Sequence, residues 1–151
     1  MKHVLPIVIA SLFAVSAVAE TEEAPIKETM FFSMDEVDLN QFKWKKRPVV
    51  VFADSELDPA FIEQIELLRA RENELRARDV VVITDTSPEP LSDLRRKLRP
   101  RNFMLVLMNK ESVVNVRKPF PWDVREIRRS IDKMPIRKRE IREEKERATE
   151  G

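Results

Sequence analysis

Val49-Val50-Val51-Phe52-Ala53 is a short, continuous β-branched run after Pro48, and it reads as a strand buried on both faces. Asp58-Pro59 follows, supplying a helix N-cap and a first-turn proline. Phe61, Ile65, Leu68 and Leu75 then recur at helical spacing to about Arg78. Val80-Val81-Val82-Ile83-Thr84 is a second run of the buried-strand type. Strand, helix of about 20 residues, strand is the βαβ unit, whose two strands are parallel and whose crossover is nearly always right-handed.

Beyond this unit comes the turn-rich Asp85-Thr86-Ser87-Pro88-Glu89-Pro90, then a short helix expected over Leu91–Leu98, with Leu91, Leu94 and Leu98 on one face. Phe103–Met108 and Val113–Val116 flank the polar tetrad Asn109-Lys110-Glu111-Ser112, a hairpin signature. Pro119-Phe120-Pro121-Trp122 breaks the second strand. Asp123 with Glu126 opens a helix carrying Val124, Ile127, Ile131 and Met134, which Pro135 stops. From Ile136 onward basic and acidic residues alternate, as suits an exposed terminal helix with i,i+4 pairs and a fraying end. The order β-α-β-(α)-β-β-α predicts an α/β, thioredoxin-like fold: a small mixed sheet covered by helices, followed by a charged C-terminal helix.

The N-terminus reads as an export signal. Met1-Lys2-His3 is basic, Val4–Val18 is apolar, and Ala17-Val18-Ala19 suits cleavage before Glu20. The apolar run covers 15 positions, short of the roughly 20 a membrane-spanning helix needs. Residues 20–38 carry seven acids against Lys27 alone and read as a flexible acidic leader. Residues 39–135 form the expected folded domain, and 136–151 the charged helix or tail. Export then places the mature chain in a periplasm or the medium.

What the mature chain lacks limits its chemistry. Lys2 is the one Lys or Arg removed with residues 1–19, so 132 residues remain with 27 bases against 27 acids. No Cys, His or Tyr remains, and the single Gly is Gly151. Dithiol redox chemistry, thiol and Ser-His-Asp nucleophiles, His acid–base catalysis and Cys/His zinc sites all lack their essential atoms. Gly-rich phosphate loops and dinucleotide fingerprints are excluded as well. Carboxylate, hydroxyl, Lys and Arg chemistry survives.

Three segments carry a resemblance: Phe42-Lys43-Trp44-Lys45-Lys46-Arg47-Pro48-Val49-Val50-Val51-Phe52-Ala53, then Arg78-Asp79-Val80-Val81-Val82, then Ile131-Asp132-Lys133-Met134-Pro135-Ile136-Arg137. Over about Leu39 to Arg142 the chain resembles a bacterial secreted family classed as a domain of unknown function, itself similar to the P-DUDES domain of the DRO/URB/equarin extracellular matrix proteins. The resemblance implies a thioredoxin-like fold, relatives without the redox cysteines, and no assigned activity. It also implies a Lys-Asp-Gly-like hairpin turn, where this chain has Asn109-Lys110-Glu111-Ser112.

In such a fold the reactive cysteines follow the first strand of the βαβ unit, and here that stretch is Asp54-Ser55-Glu56-Leu57-Asp58-Pro59. Asp54, Ser55, Asp85, Thr86, Arg101 and Asn102 should gather at the same sheet edge, with Pro100 near the place of the thioredoxin cis-proline. A small-ligand site or a carboxylate-based enzyme at Asp54, Asp85 and Arg101 is one reading. Capping and turn chemistry is the plainer one. Calcium at Asp54, Glu56 and Asp58 is disfavoured, since Pro59 and Ile65 stand where an EF-hand loop needs Gly and a bidentate acid.

Two basic clusters, Lys43, Lys45, Lys46 and Arg47, and Arg95, Arg96, Lys97, Arg99 and Arg101, offer a surface for a protein partner or an envelope polyanion. With charges at 54 of the 132 mature positions some clustering is inevitable, and in the plainer account Trp44 packs on the core. The sequence therefore predicts an exported, monomeric binding module rather than an enzyme, redox-inactive, with no cofactor, no nucleic-acid partner and no transmembrane helix.

Overall fold

The computed structural model describes residues 28–151. The expected signal segment, 1–19, and the first part of the expected leader lie outside the described residues. Five strands form one sheet: β1 (Phe31–Ser33), β2 (Arg47–Phe52), β3 (Val80–Asp85), β4 (Met104–Met108) and β5 (Val114–Lys118), in the order β1-β3-β2-β4-β5. β1, β3 and β2 run parallel, β4 is antiparallel to β2, and β5 is antiparallel to β4. The βαβ unit and the hairpin read from the sequence are both present, in the mixed α/β architecture expected.

Residues 28–38 differ from the expected leader. Met30 is buried in the core and Phe31–Ser33 pairs with Val82–Thr84 as an edge strand. The reason is the open edge of β3, whose backbone groups need partners, together with the apolar Met30-Phe31-Phe32 triplet that covers it. Ser33 and Glu36 form a capping box on the 3-10 turn that follows, and Asp38 caps the 3-10 helix Leu39–Phe42.

The two faces of the sheet are covered separately. Val49, Val51, Val80, Val82, Leu105 and Leu107 face α1 (Pro59–Ala70), α2 (Glu72–Arg76) and α4 (Val124–Asp132), meeting Leu68, Leu75, Ile127 and Ile131. Val50, Phe52, Val81, Ile83, Val106 and Met108 face Phe42 and α3 (Asp93–Leu98), meeting Leu94 and Leu98. This two-faced burial explains why the strands read as continuous apolar runs.

The expected long helix is two. Arg71 leaves helical geometry at φ −129°, separating α1 from α2. The helix expected from Leu91 starts instead at Asp93 behind the Ser92 cap, so Leu91 precedes it and is exposed. Pro135 both ends the preceding turn and occupies the first position of α5 (Pro135–Glu150). The buried Gln64 clamps the Pro-rich loop before α4: its Nε2 donates to the Trp122 carbonyl at 3.0 Å and its Oε1 accepts from the Trp122 N–H at 2.7 Å.

The hairpin turn manages without glycine. Asn109 Oδ1 accepts from the Glu111 and Val113 N–H groups, and Ser112 takes the left-handed conformation at φ 61°. Among the described residues the cis peptide bond is Glu89-Pro90, ahead of Pro100, the residue expected near the place of the thioredoxin cis-proline.

Candidate functional site

The parallel strands end together, with Phe52 beside Asp85 and Met104 in register. The loop that replaces the cysteine stretch is built from turn chemistry. Ser55 Oγ accepts from the Leu57 N–H at 3.1 Å, and Asp58 Oδ1 caps α1 through the Ala60 N–H at 2.8 Å. Asp54 alone among these reaches across the edge, its Oδ1 3.9 Å from Arg95 Nη1.

Arg95 is the centre of the edge. It is 5% exposed, and Asp85 is buried with it. Arg95 Nε donates to Asp85 Oδ1 at 2.9 Å, while Nη2 donates to the Ala53 carbonyl at 2.5 Å and the Asp85 carbonyl at 2.9 Å. Ser92 Oγ donates to Asp85 Oδ2 at 2.8 Å and accepts from the Arg95 N–H, capping α3. The guanidinium also lies over the Phe52 ring, 5.5 Å from its centroid. Such a charge pair holds three chain segments in one arrangement: the end of β2, the end of β3 and the start of α3.

Topology thus brings Asp54, Ser55, Asp85, Thr86, Arg101 and Asn102 to one end of the sheet, but it joins only Asp54 and Asp85, and through Arg95. Arg101 and Asn102 are exposed and make no ion pair or side-chain hydrogen bond among the described residues. The basic partner of this edge is therefore Arg95, where Arg101 was expected. A cleft of about 380 Å³ adjoins it, lined by Glu56, Asp85, Thr86, Ser87 and Ser92 among others. Among the described residues no group of three or more His, Cys, Asp or Glu could hold a metal ion.

Burial divides the basic clusters. Arg95 is withdrawn into the fold, and Arg47 is 0% exposed on β2, so neither contributes to the surface expected of them. Lys43 and Lys45 are exposed, and Lys46 pairs with Glu28 at 3.4 Å. Arg96, Lys97, Arg99 and Arg101 are exposed on and after α3, and Leu91, Arg96, Arg99 and Pro100 border a shallow depression of about 410 Å³ against Arg95. Trp44 does not pack on the core; it is 61% exposed.

A second charged assembly, missed in the sequence, occupies the opposite end of the sheet. Glu140 Oε1 on α5 accepts from Arg47 Nη2 at 3.1 Å and from Lys110 Nζ at 2.7 Å. Arg47 Nη1 donates to the Arg78 carbonyl, Lys110 also pairs with Asp79, and Arg78 holds Asp132 by two bonds of 3.0 and 3.1 Å. Arg137 pairs with Asp132, Glu140 and Glu144. Burial pushes the Asp132 carboxyl up, but the Arg78 hydrogen bond and the charges of Arg78 and Arg137 outweigh it and hold the group below the usual range. Glu140 is likewise lowered: burial raises it, and the hydrogen bonds from Lys110 and Arg47 win. The three segments that carry the family resemblance all converge here, through Arg47, Arg78, Asp79, Asp132 and Arg137. Their spacing of 30 to 90 residues hid the assembly; the signal available was an Arg opening a buried strand.

Residues 38–140 match the family described as Domain of unknown function (DUF4174). The chain is a DUF4174 protein. The match ends at Glu140, so the family region takes in both charged assemblies apart from Glu144. No curated protein matches the chain. Among solved structures, the DUF4174 fold is similar to Plasmodium yoelii Prx1a modified at its N-terminus, at 19% identity over 64% of this chain and 77% of that one, with a TM-score of 0.50. Plasmodium yoelii thioredoxin peroxidase I matches at 18% identity over 64% and 76%, TM-score 0.46. StoA from Bacillus subtilis matches at 8% identity over 57% and 82%, TM-score 0.38. The likeness is one of fold. The DUF4174 chain has no cysteine at any position, so thiol–disulfide exchange by its own residues is impossible.

Proposed function

We propose that this DUF4174 protein is an exported, redox-inactive binding domain, with no catalytic role, that recognises an anionic partner through the surface of α3. The carrying observation is the division of labour within one short helix. Arg95 turns inward and neutralises Asp85, while Arg96, Lys97, Arg99 and Arg101 remain exposed around the depression beside Leu91 and Pro100. Asp93 is the one acid of that segment, paired with Arg96 at 3.4 Å. The backbone beneath the patch is held by the Ser92 cap, and Arg99 closes the helix in the left-handed conformation with its N–H on the Arg95 carbonyl. A rigid cationic surface suits a polyanion or an acidic protein segment. The basic, apolar and small-residue order of residues 1–19 supports export, and an exported chain would meet that partner in the envelope or outside the cell.

The test is affinity isolation from the source envelope with the tagged chain, wild type beside Arg96→Glu/Arg99→Glu. Capture of an acidic partner that is lost on charge reversal and weakens steeply with salt supports the reading. Capture indifferent to both overturns it.

A further inference from the structure

The pole of the molecule opposite α3's cap carries a feature that the α3 surface does not explain. Trp44 lies between the 3-10 helix Leu39–Phe42 and β2, in the left-handed conformation at φ 67°, and its side chain is 61% exposed. A bulky residue at positive φ is strained, and an indole left in water forgoes the gain of burial. Both costs are borne by a well-held backbone: the Trp44 N–H donates to the Lys110 carbonyl at 2.6 Å, and the Lys45 and Lys46 N–H groups both return to the Phe42 carbonyl. The turn thus pushes the indole outward and keeps it there. Strain of this kind persists only where the surroundings over-determine it.

The neighbours define what the indole meets. Lys43 and Lys45 flank it, exposed, and neither has an acidic partner within 4.0 Å among the described residues. The Lys110 carbonyl that receives Trp44 belongs to the hairpin turn, whose Val113 is 57% exposed. Of the charged side chains of that turn, the Lys110 amine is committed to Asp79 and Glu140, while the exposed Glu111 accepts only from the Asn109 amide at 3.5 Å. The tip is an aromatic beside two ammonium groups that have no acidic partner among the described residues, with a valine exposed on the adjoining hairpin turn.

We propose that the Lys43-Trp44-Lys45 tip is a peripheral contact for an anionic lipid surface, the indole seating at headgroup level and the two ammonium groups against lipid phosphates. No helix among the described residues is long and apolar enough to cross a membrane, so the contact is with the surface. It uses residues separate from the α3 surface, and charge removal elsewhere on the molecule serves as its control.

The experiment is co-sedimentation of the chain from Glu20 onward, which leaves out the apolar run Val4–Val18, with vesicles of three parts phosphatidylcholine to one part phosphatidylglycerol, and with pure phosphatidylcholine. Trp122→Phe leaves Trp44 as the one tryptophan, since Gln64 bonds the backbone of residue 122 rather than its ring. The expected result is binding to the anionic vesicles only, with a blue shift of Trp44 emission. Lys43→Ala/Lys45→Ala should weaken binding roughly 30-fold, at about fivefold per lysine. Trp44→Ala should weaken it about tenfold or more, while Arg142→Ala/Lys145→Ala, which removes two exposed positive charges from α5, leaves it within about twofold. No binding to anionic vesicles, binding insensitive to the tip variants, or binding to a sulfated glycan with none to vesicles overturns the proposal.

Discussion

Arg47 on β2 and Glu140 on α5 are joined by a hydrogen bond of 3.1 Å across 93 positions of sequence. Arg47 is fully buried, and its other contact is the Arg78 carbonyl at the end of the βαβ crossover. The terminal helix is therefore bolted to the first core strand by charge. That arrangement makes stability depend on pH. Asp132 and Glu140 both hold carboxyls below their ordinary values, so the folded chain binds fewer protons than the unfolded one around those values. Their contribution is complete above the unfolded range, about pH 4, and is lost as pH falls through the lowered folded values. Thermal midpoints taken from about pH 7 down to about pH 3 should drop at the acid end, and Glu140→Gln should flatten the drop. Equal slopes in the two proteins would exclude this assembly as the cause.

The Asp85–Arg95 pair predicts an asymmetry between single and double variants. Asp85→Ala leaves a buried guanidinium with backbone carbonyls and a distant Asp54, and should cost about 3–5 kcal/mol in urea unfolding. Asp85→Ala/Arg95→Met removes both charges and should cost less than Asp85→Ala alone. A double variant that is the less stable of the two would mean that Arg95 acts through its carbonyl contacts and not through the charge of Asp85.

The Gln64 clamp is purely polar and fully buried. Gln64→Leu keeps most of the volume but orphans the Trp122 N–H and C=O, an expected loss of about 2–3 kcal/mol. Hydrogen exchange should localise the effect, with the Trp122 amide losing protection before the core strands do; unchanged protection there would contradict the clamp.

Ser112 carries a side chain at φ 61°, and its hydroxyl is buried without a partner. Ser112→Gly removes both defects and should raise stability by about 0.5–1 kcal/mol, after the entropy of glycine in the unfolded chain is subtracted. A destabilised Ser112→Gly in the same urea assay would show that the turn does not need the left-handed conformation.

How far the fold was legible follows from range. β2, β3, the hairpin and α4 declare themselves through local patterns: apolar runs, the Asp58-Pro59 cap, Asp123 with Glu126. β1 does not, because three residues in an acidic setting become a strand only when the edge of β3 is there to pair with. At the site, runs of like charge concealed what individual arginines do. Arg95 sits beside the Leu94/Leu98 stripe of α3 and three residues after its cap, which was the available sign that it turns inward. For Arg47 the partner lies 93 positions away, and no local rule reaches that far.

Trp44, Asp79, Arg99, Asn102 and Ser112 all hold positive φ, in a chain whose single glycine is its last residue. Most proteins meet such turns with glycine and accept a floppier unfolded chain in return. Here the expense moves to the other side of the equilibrium: the unfolded ensemble is stiffer and loses less entropy on folding, while the native turns carry the strain. Disorder is saved before folding begins, and tension is stored once it ends.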